Sequence, residues 1–253
     1  MFTEQIDSTY IVTQTGTSEG TQVKYLKDGY WYKMDNRGRE GLAEFLVSGL
    51  LTFTDLKPEE YVLYEHGLIN GKTGCRSANF LKEGEELITL YRLYYNEFGK
   101  DLSAVIGQMD LMEERIEYVI SFVKQSCGVD IRDYFRKVFT LDMLVLNEDR
   151  HLNNLAVLFK EDHFETAPIF DQGVSLLTAN QSVNWNLGVD ENVRRVIARP
   201  FSGSHEKMQK YFGIGFHMDM NAAKEWLNGE PESREKEVLL YQLNRYHEII
   251  AFV

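Results

Sequence analysis

Cysteine is nearly absent from this 253-residue chain. There are two, Cys75 and Cys127, and neither stands in a Cys-x-x-Cys or Cys/His spacing. That excludes a disulfide-stapled scaffold and argues against a structural zinc site. Positive charge is also short: 27 Lys and Arg stand against 39 Asp and Glu, a formal net charge of -12. No basic surplus is available for a phosphate backbone, so direct contact with nucleic acid is not expected. No apolar run approaches the roughly 18 residues of a membrane span. The first ten residues, MFTEQIDSTY, have neither the basic flank nor the apolar core of a secretory leader. There are four prolines, no internal repeat and no low-complexity tract. What is present is a chain able to pack, 43% hydrophobic and 26% charged, which predicts a globular, cytoplasmic protein. The length suits one large domain or two lobes about a cleft.

The hydrophobic pattern changes character along the chain. Up to about residue 84 it reads as short strands and turns: STYIVTQTG, then TQVKYL and KDGYWYKMD about the turn signal Asp28-Gly29. A helix is predicted in REGLAEFLVSGLLTF from the spacing of Leu42, Phe45, Leu46, Gly49, Leu50 and Phe53. EYVLYEHGLINGKTGCRSANFL returns to strand and turn, and its polar GCRSANFL either lines a cleft or caps a sheet edge. Beyond residue 85 the pattern is helical in ELITLYRLYYNEF, QMDLMEERIEYVISFVKQ and DIRDYFRKVFTLDMLVL. In the last of these Ile131, Tyr134, Phe135, Val138 and Phe139 share a face, and Asp130 offers a cap. NLAVLF and HFETAPIF read as two strands joined at KEDH, and further helices are predicted in SGSHEKMQKYF, DMNAAKEWLN and ESREKEVLLYQLNRYHEIIAF. The expected fold class is α+β, with a strand-rich lobe over 1–86 and a helical lobe over 87–253.

Residues 146–173, LNEDRHLNNLAVLFKEDHFETAPIFDQG, carry the densest chemistry. Asp149 and Asn154 stand five apart in a loop between helix and strand, and Asp171 follows another strand just before Gly173. The set suits phosphoryl transfer from a magnesium nucleotide, which needs a carboxylate near the attacking hydroxyl and hard oxygen ligands for the metal. Asp149 is the candidate to orient or deprotonate the acceptor. Asn154 and Asp171 are the candidate Mg²⁺ ligands, and Gly173 is expected to allow a tight turn behind the second.

Asp-x-x-x-x-Asn followed by Asp-x-Gly after a strand pair resembles the catalytic core of the protein-kinase-like superfamily. NEDRHLNN resembles the loop of HipA-like serine/threonine kinases, with Asn147 where other kinase loops carry His. The same order resembles phosphatidylinositol kinases, so the loop alone leaves protein and lipid substrates open. GTSEGTQVKYLKDGYWYK resembles the phosphate loop of the HipA-like family, with Gly16, Ser18, Gly20, Gln22 and Lys24 in register. GCRSANFLKEGEELITL resembles the link between lobes in short members of the CtkA type. The resemblance implies a two-lobed protein-kinase-like fold that binds ATP and Mg²⁺. Lys33 would hold phosphates, paired with Glu44 or, one turn earlier, Glu40. Lys24 is either a second phosphate contact or a solvated strand residue. His151 and Asn153 are expected to support the loop, and Arg150 to pair with a local carboxylate.

The resemblance further implies a serine/threonine protein kinase that phosphorylates its own Ser18. Its implied partners are a protein substrate such as an aminoacyl-tRNA synthetase and a DNA-binding antitoxin on a separate chain. The alternatives are a small-molecule or phosphoinositide-type lipid kinase and a nucleotide-binding pseudokinase module.

Overall fold

The computed structural model describes residues 1–12 and 23–252. Gly16, Ser18, Gly20 and Gln22 of the phosphate-loop expectation lie outside the described residues. The small lobe holds strands β1 (Phe2–Glu4), β2 (Lys24–Lys27) and β3 (Tyr30–Met34), helix α1 (Glu40–Leu51), and strands β4 (Tyr64–Ile69) and β5 (Lys72–Ala78). The sheet order is β1-β4-β5-β3-β2, with β1 parallel to β4 and the other pairs antiparallel. The β2–β3 hairpin turns at Asp28 and Gly29, both with left-handed φ (50° and 78°), as a two-residue type I′ loop requires. STYIVTQTG does not begin as a strand. Ser8–Tyr10 is a single 3₁₀ turn, because the Asp7 carboxylate accepts the Thr9 N–H at 2.8 Å and caps it; after it, Ile11 bridges to Tyr25 and the Val12 N–H donates to the Lys24 carbonyl at 3.0 Å.

The large part opens with β6 (Glu86–Thr89), α2 (Leu90–Phe98), α3 (Leu102–Gly107), α4 (Met112–Cys127) and α5 (Arg132–Val145). Then come the ribbon β7 (Ala156–Lys160) and β8 (His163–Thr166), and helices α6 (Val189–Val193), α7 (His205–Phe212), α8 (Met220–Gly229), α9 (Arg234–Arg245) and α10 (His247–Ile250). The helix expected across 86–98 is therefore shorter. Its first four residues pair with β7, and Thr89 caps α2 by accepting the Arg92 N–H at 3.1 Å. The segment after 232 breaks at Tyr246 into α9 and α10. Helices α3 and α6, and strand β1, were not anticipated; they are short, and periodicity needs length to show itself.

Helix α5 keeps its expected buried face but not its expected cap: Ile131, not Asp130, stands at the N-cap, without a side-chain cap bond. Ile131, Tyr134, Phe135, Val138 and Phe139 are all buried, and the Asp130 carboxylate accepts the Arg132 N–H at 3.1 Å. Each such side chain contributes about 1.5–3 kcal/mol by leaving water, so the loop after α5 hangs from a firmly packed helix.

Helix α1 packs on the sheet, but its apolar face belongs to the large core. Ala43, Leu46, Val47, Leu50 and Leu51 share one buried cluster with α2, α4, α5, α8 and α9. The sheet keeps a separate small cluster of Ile6, Tyr25, Tyr32 and Ile69. Both ends of α1 are tied across. Before its start, the Arg39 N–H donates to Thr178 Oγ1 at 2.9 Å and the Arg39 guanidinium meets Glu235 at 3.1 Å. A Cβ on Gly38 would stand 2.1 Å from the Thr178 carbonyl oxygen, so only glycine allows that approach. Beyond its end, the Asp219 N–H donates to the Phe53 carbonyl at 2.9 Å and the Asp55 N–H to the His217 carbonyl at 3.1 Å.

Candidate active site

Strand alternation sorts YWYK. Tyr32 turns into the sheet's own cluster, while Trp31 and Lys33 face a cavity of about 430 Å³ between the lobes. Lys24 lies directly across the hairpin from Lys33 and is buried. The solvated reading of Lys24 is thus overturned: two lysines stand side by side on the cleft. Burial and the neighbouring Lys33 charge push the Lys24 ammonium below its ordinary value.

Lys33 joins three elements. Its Nζ meets Glu44 Oε1 at 3.0 Å and Asp171 Oδ1 at 3.1 Å, and it lies 5.3 Å above the Tyr64 ring. Burial opposes its charge, yet the two carboxylates raise it well above its ordinary value. Glu44 is buried in α1, and its Oε2 accepts the Gln172 N–H at 2.8 Å. Burial nonetheless pushes the Glu44 carboxyl up. Glu40 does something else: its carboxylate accepts the N–H groups of Asn36, Arg37 and Gly38 and so shapes the turn before α1. Of the two glutamates, Glu44 is the one that pairs with Lys33.

Asp171 takes a left-handed φ of 61°. Burial would raise its carboxyl, but Lys33 and Lys24 override this and hold it far below the carboxylate range. The tight turn therefore falls on Asp171 itself and not on Gly173, whose φ is not left-handed. Gly173 serves close approach instead: a Cβ there would lie 3.2 Å from Glu40 Cβ, against α1.

The loop after α5 is built around Arg150. Its guanidinium is buried, with Nε and Nη2 each 2.9 Å from an Asp142 oxygen. Its Nη1 donates to the carbonyls of Asn154 (3.1 Å) and Phe170 (3.0 Å). One side chain thus fixes the backbone at Asn154 and just before Asp171. Asn147 adds a second tie: its Oδ1 accepts the Asp149 N–H at 3.0 Å, and its amide donates to Gln172 Oε1 at 3.0 Å. His151 Nδ1 accepts the Asn153 N–H at 3.2 Å, and Asn153 Oδ1 accepts from the Thr89 hydroxyl at 3.2 Å. Both residues support the loop, as expected.

Asn154 donates its amide to the Asp149 carbonyl at 3.0 Å, which leaves Oδ1 pointing away, buried and without a hydrogen-bond partner among the described residues. A buried acceptor left open beside an ionised carboxylate fits a hard cation. Asp149 is half-exposed, and its side chain stands 3.6 Å from His151 Nε2. Burial, with the charge of Asp171, raises its carboxyl; His151, Arg199 and Arg37 oppose this. Asp149, Asn154, Asp171, Lys33 and Lys24 all line a second, smaller cavity of about 120 Å³. It adjoins the first at Lys24, Lys33 and Asp171. The walls of the first cavity include Trp31, Tyr64, Ser77, Phe80, Leu87 and Phe170. Ser77, Asn79, Phe80 and Leu81 all face it, so GCRSANFL lines the cleft.

Tyr64 and Gln172 were not singled out in the sequence. Tyr64 looks like any inward strand residue, and its hydroxyl reaches the Asp171 N–H (3.4 Å) only through the fold. Arg150 had a readable signal: Asp142 interrupts the buried face of FTLDMLVL, and a carboxylate there needs a partner.

His205, in the first turn of α7, is buried with neither ring nitrogen hydrogen-bonded among the described residues. Burial and the Arg150 charge push its imidazole down to about 4. The unfolded chain, with a His pKa near 6.5, takes up the proton first. This stability is therefore whole above about pH 6.5 and is lost as pH falls toward 4. Between pH 7 and pH 5 the loss should be on the order of 2 kcal/mol, read from denaturant midpoints. His205→Leu should flatten that part of the profile; an unchanged slope would refute the assignment.

No protein-family model matches the chain, and no curated protein matches it either. Solved structures do. The Helicobacter pylori proinflammatory kinase CtkA superposes with a TM-score of 0.67 over 98% of this chain and 95% of its own, at 17% identity. HipA of the Shewanella oneidensis MR-1 toxin–antitoxin system, solved with HipB and its operator DNA, matches with a TM-score of 0.53. It covers 97% of this chain and 67% of its own, at 12% identity. With its strand-rich lobe, its helical lobe and the cleft between them, the chain has the two-lobed kinase fold.

Proposed function

We propose that this protein is an Mg²⁺- and ATP-dependent serine/threonine protein kinase of HipA-like type. The observation that carries the reading is Lys33, held between Glu44 and Asp171 where the two cavities meet. The larger cavity suits a nucleoside, with Trp31, Phe80, Leu87 and Phe170 against the base. Lys33 and Lys24 suit the phosphates. Asp171 and Asn154 would hold Mg²⁺, which supplies charge neutralisation on the phosphate oxygens when bound. Asp149 faces the smaller cavity, where an acceptor hydroxyl would sit. The hydroxyl oxygen bonds to the γ-phosphorus, the bond to the bridging oxygen of ADP breaks, and Asp149 orients the hydroxyl and takes its proton.

Protein substrates, an aminoacyl-tRNA synthetase first among those to test, belong to the same reading. So do self-phosphorylation at Ser18 and a separate antitoxin chain, in analogy to HipA with HipB. Among the described residues no helix is long and apolar enough to cross a membrane.

The test pairs chemistry with binding. Labelled ATP and Mg²⁺ should yield phosphate on protein Ser or Thr in a cell lysate. By calorimetry, Asp171→Ala should lose about tenfold or more in nucleotide affinity with Mg²⁺ and little without it, because it removes a metal ligand. Equal losses in both conditions would make Asp171 structural only.

A further inference from the structure

Residues 170–188 form no helix, strand or bridge. Segments of more than about 12–15 residues without secondary structure are uncommon in a compact domain and tend to serve a function. This one is shaped by its own asparagines. Asn180 Oδ1 accepts the Ser182 N–H at 2.8 Å and the Ser182 hydroxyl at 2.6 Å. Asn184 Oδ1 accepts the Asn186 N–H at 3.1 Å. From α6, Asn192 Oδ1 accepts the Asn184 N–H at 2.9 Å, and its amide donates to the carbonyls of Asn184 (3.0 Å) and Gly188 (3.2 Å). Such side-chain turns stand in for the backbone ladder that a helix or strand would supply.

The segment leaves Asp171 along one wall of the small cavity, which Gly173 and Val174 line together with Asp149. No residue of 172–188 lines the larger cavity. The segment then passes Glu148, the neighbour of Asp149. Two ties there are backbone bonds that any sequence could make: the Glu148 N–H donates to the Val174 carbonyl at 3.1 Å, and the Leu176 N–H to the Val145 carbonyl at 2.9 Å. The third depends on side chains. The Asn180 amide donates to both Glu148 oxygens, at 2.7 and 2.9 Å. Because Ser182 already occupies Asn180 Oδ1, the amide nitrogen has to face Glu148. Burial pushes the Glu148 carboxyl up, and the Asn180 amide counters this. A contact of this charge-assisted kind is roughly twice as strong as one between neutral groups.

We propose that Glu148 is a positioning residue for the acceptor: through Asn180 it holds segment 174–187 beside Asp149 in the shape that receives the chain carrying the acceptor hydroxyl. This rests on the kinase reading above. It puts acceptor binding and nucleotide binding under separate control, since the segment borders one cavity and not the other.

The key variant is Asn180→Asp, which sets two carboxylates face to face with almost no change of shape. Its rescue is the exchange Glu148→Gln/Asn180→Asp, which restores one amide against one carboxylate. The full chain is given Mg-ATP with a randomised Ser/Thr peptide library and with a dephosphorylated bacterial lysate. The acceptor that the wild type labels fastest is carried forward, and Asp149→Asn is the blank. Asn180→Asp should raise the KM for that acceptor by about tenfold or more, the scale of one charge-assisted contact. Its calorimetric affinity for ATP should match the wild type. Hydrogen exchange should quicken at the amides of 174–187 and not in α5. The exchange variant should regain most of the acceptor KM; Asn180→Ala serves if Asn180→Asp fails to fold. An unchanged acceptor KM overturns the positioning role and leaves the kinase reading standing. So does a parallel loss of ATP affinity or faster exchange throughout the large lobe, either of which would make the contact a general structural tie. So does a folded exchange variant that regains nothing. No transfer by the wild type to any peptide or lysate protein overturns the kinase reading and the positioning role together.

Discussion

Asp149→Asn should bind nucleotide as the wild type does and transfer phosphate at least about 10²-fold more slowly, the scale for removing a positioned acid–base group. The substitution is clean because the loop is not held by this carboxylate. The Asp149 N–H goes to Asn147, and its carbonyl accepts from the Asn154 amide. Among the described residues its side chain forms an ion pair with His151 alone, at 3.6 Å. Asparagine keeps the size and removes the proton acceptor. Burial and the Asp171 charge raise the Asp149 carboxyl, which brings it nearer the pH at which a base works best. Circular dichroism and nucleotide titration should be unchanged while single-turnover transfer falls. Wild-type turnover would remove Asp149 from the chemistry.

Arg150→Met should cost about 3–5 kcal/mol of stability, because it leaves the Asp142 carboxylate buried and uncompensated. Both partners are essentially inaccessible, at 1% and 0% exposed, so water cannot take over. Two backbone carbonyls lose their donor as well. The control is the double variant Arg150→Met/Asp142→Leu, which removes the stranded charge and should regain much of the loss. Chemical denaturation of the four proteins closes the cycle. The double variant should still be a poor enzyme, since nothing then ties the Asn154 and Phe170 backbones together. A single variant losing under about 1 kcal/mol would mean the pair holds nothing.

Local chemistry was readable wherever one residue type decided the matter. Asp28-Gly29 fixed a hairpin, the five-residue face of α5 fixed a buried helix, and KEDH fixed the β7–β8 ribbon. Glu86–Thr89 misled because four apolar-polar residues fit either period, and only pairing with β7 chose the strand. Lys24 was undecided for the same reason: a strand lysine faces water or cleft according to which side the sheet buries. The loop around Asp149 was legible as a set of residue types at a spacing. What the sequence could not show was the scaffolding between distant segments, such as Arg150 reaching Phe170 or Tyr64 reaching Asp171. Those contacts span 20 and 107 residues, and no local pattern encodes them. Gly173 illustrates the limit well: the position was right, but its reason was a neighbour 133 residues earlier in the chain, Glu40.

Helix α1, pinned at Gly38 and Arg39 on one side and at Phe53 and Asp55 on the other, is mechanically a post planted in the large lobe. If the cleft breathes to admit nucleotide, the five-stranded sheet must ride over that post and not with it. The Lys33–Glu44 contact then becomes part of a latch, together with the Tyr64 N–H held by Ser48 Oγ at 2.9 Å, that each such excursion has to open and each return has to close. A regulator that works by swinging α1 outward would have to uproot core residues such as Leu46 and Leu50 from the large lobe. Control of this protein falls more naturally on the sheet and on the mouth of the cleft.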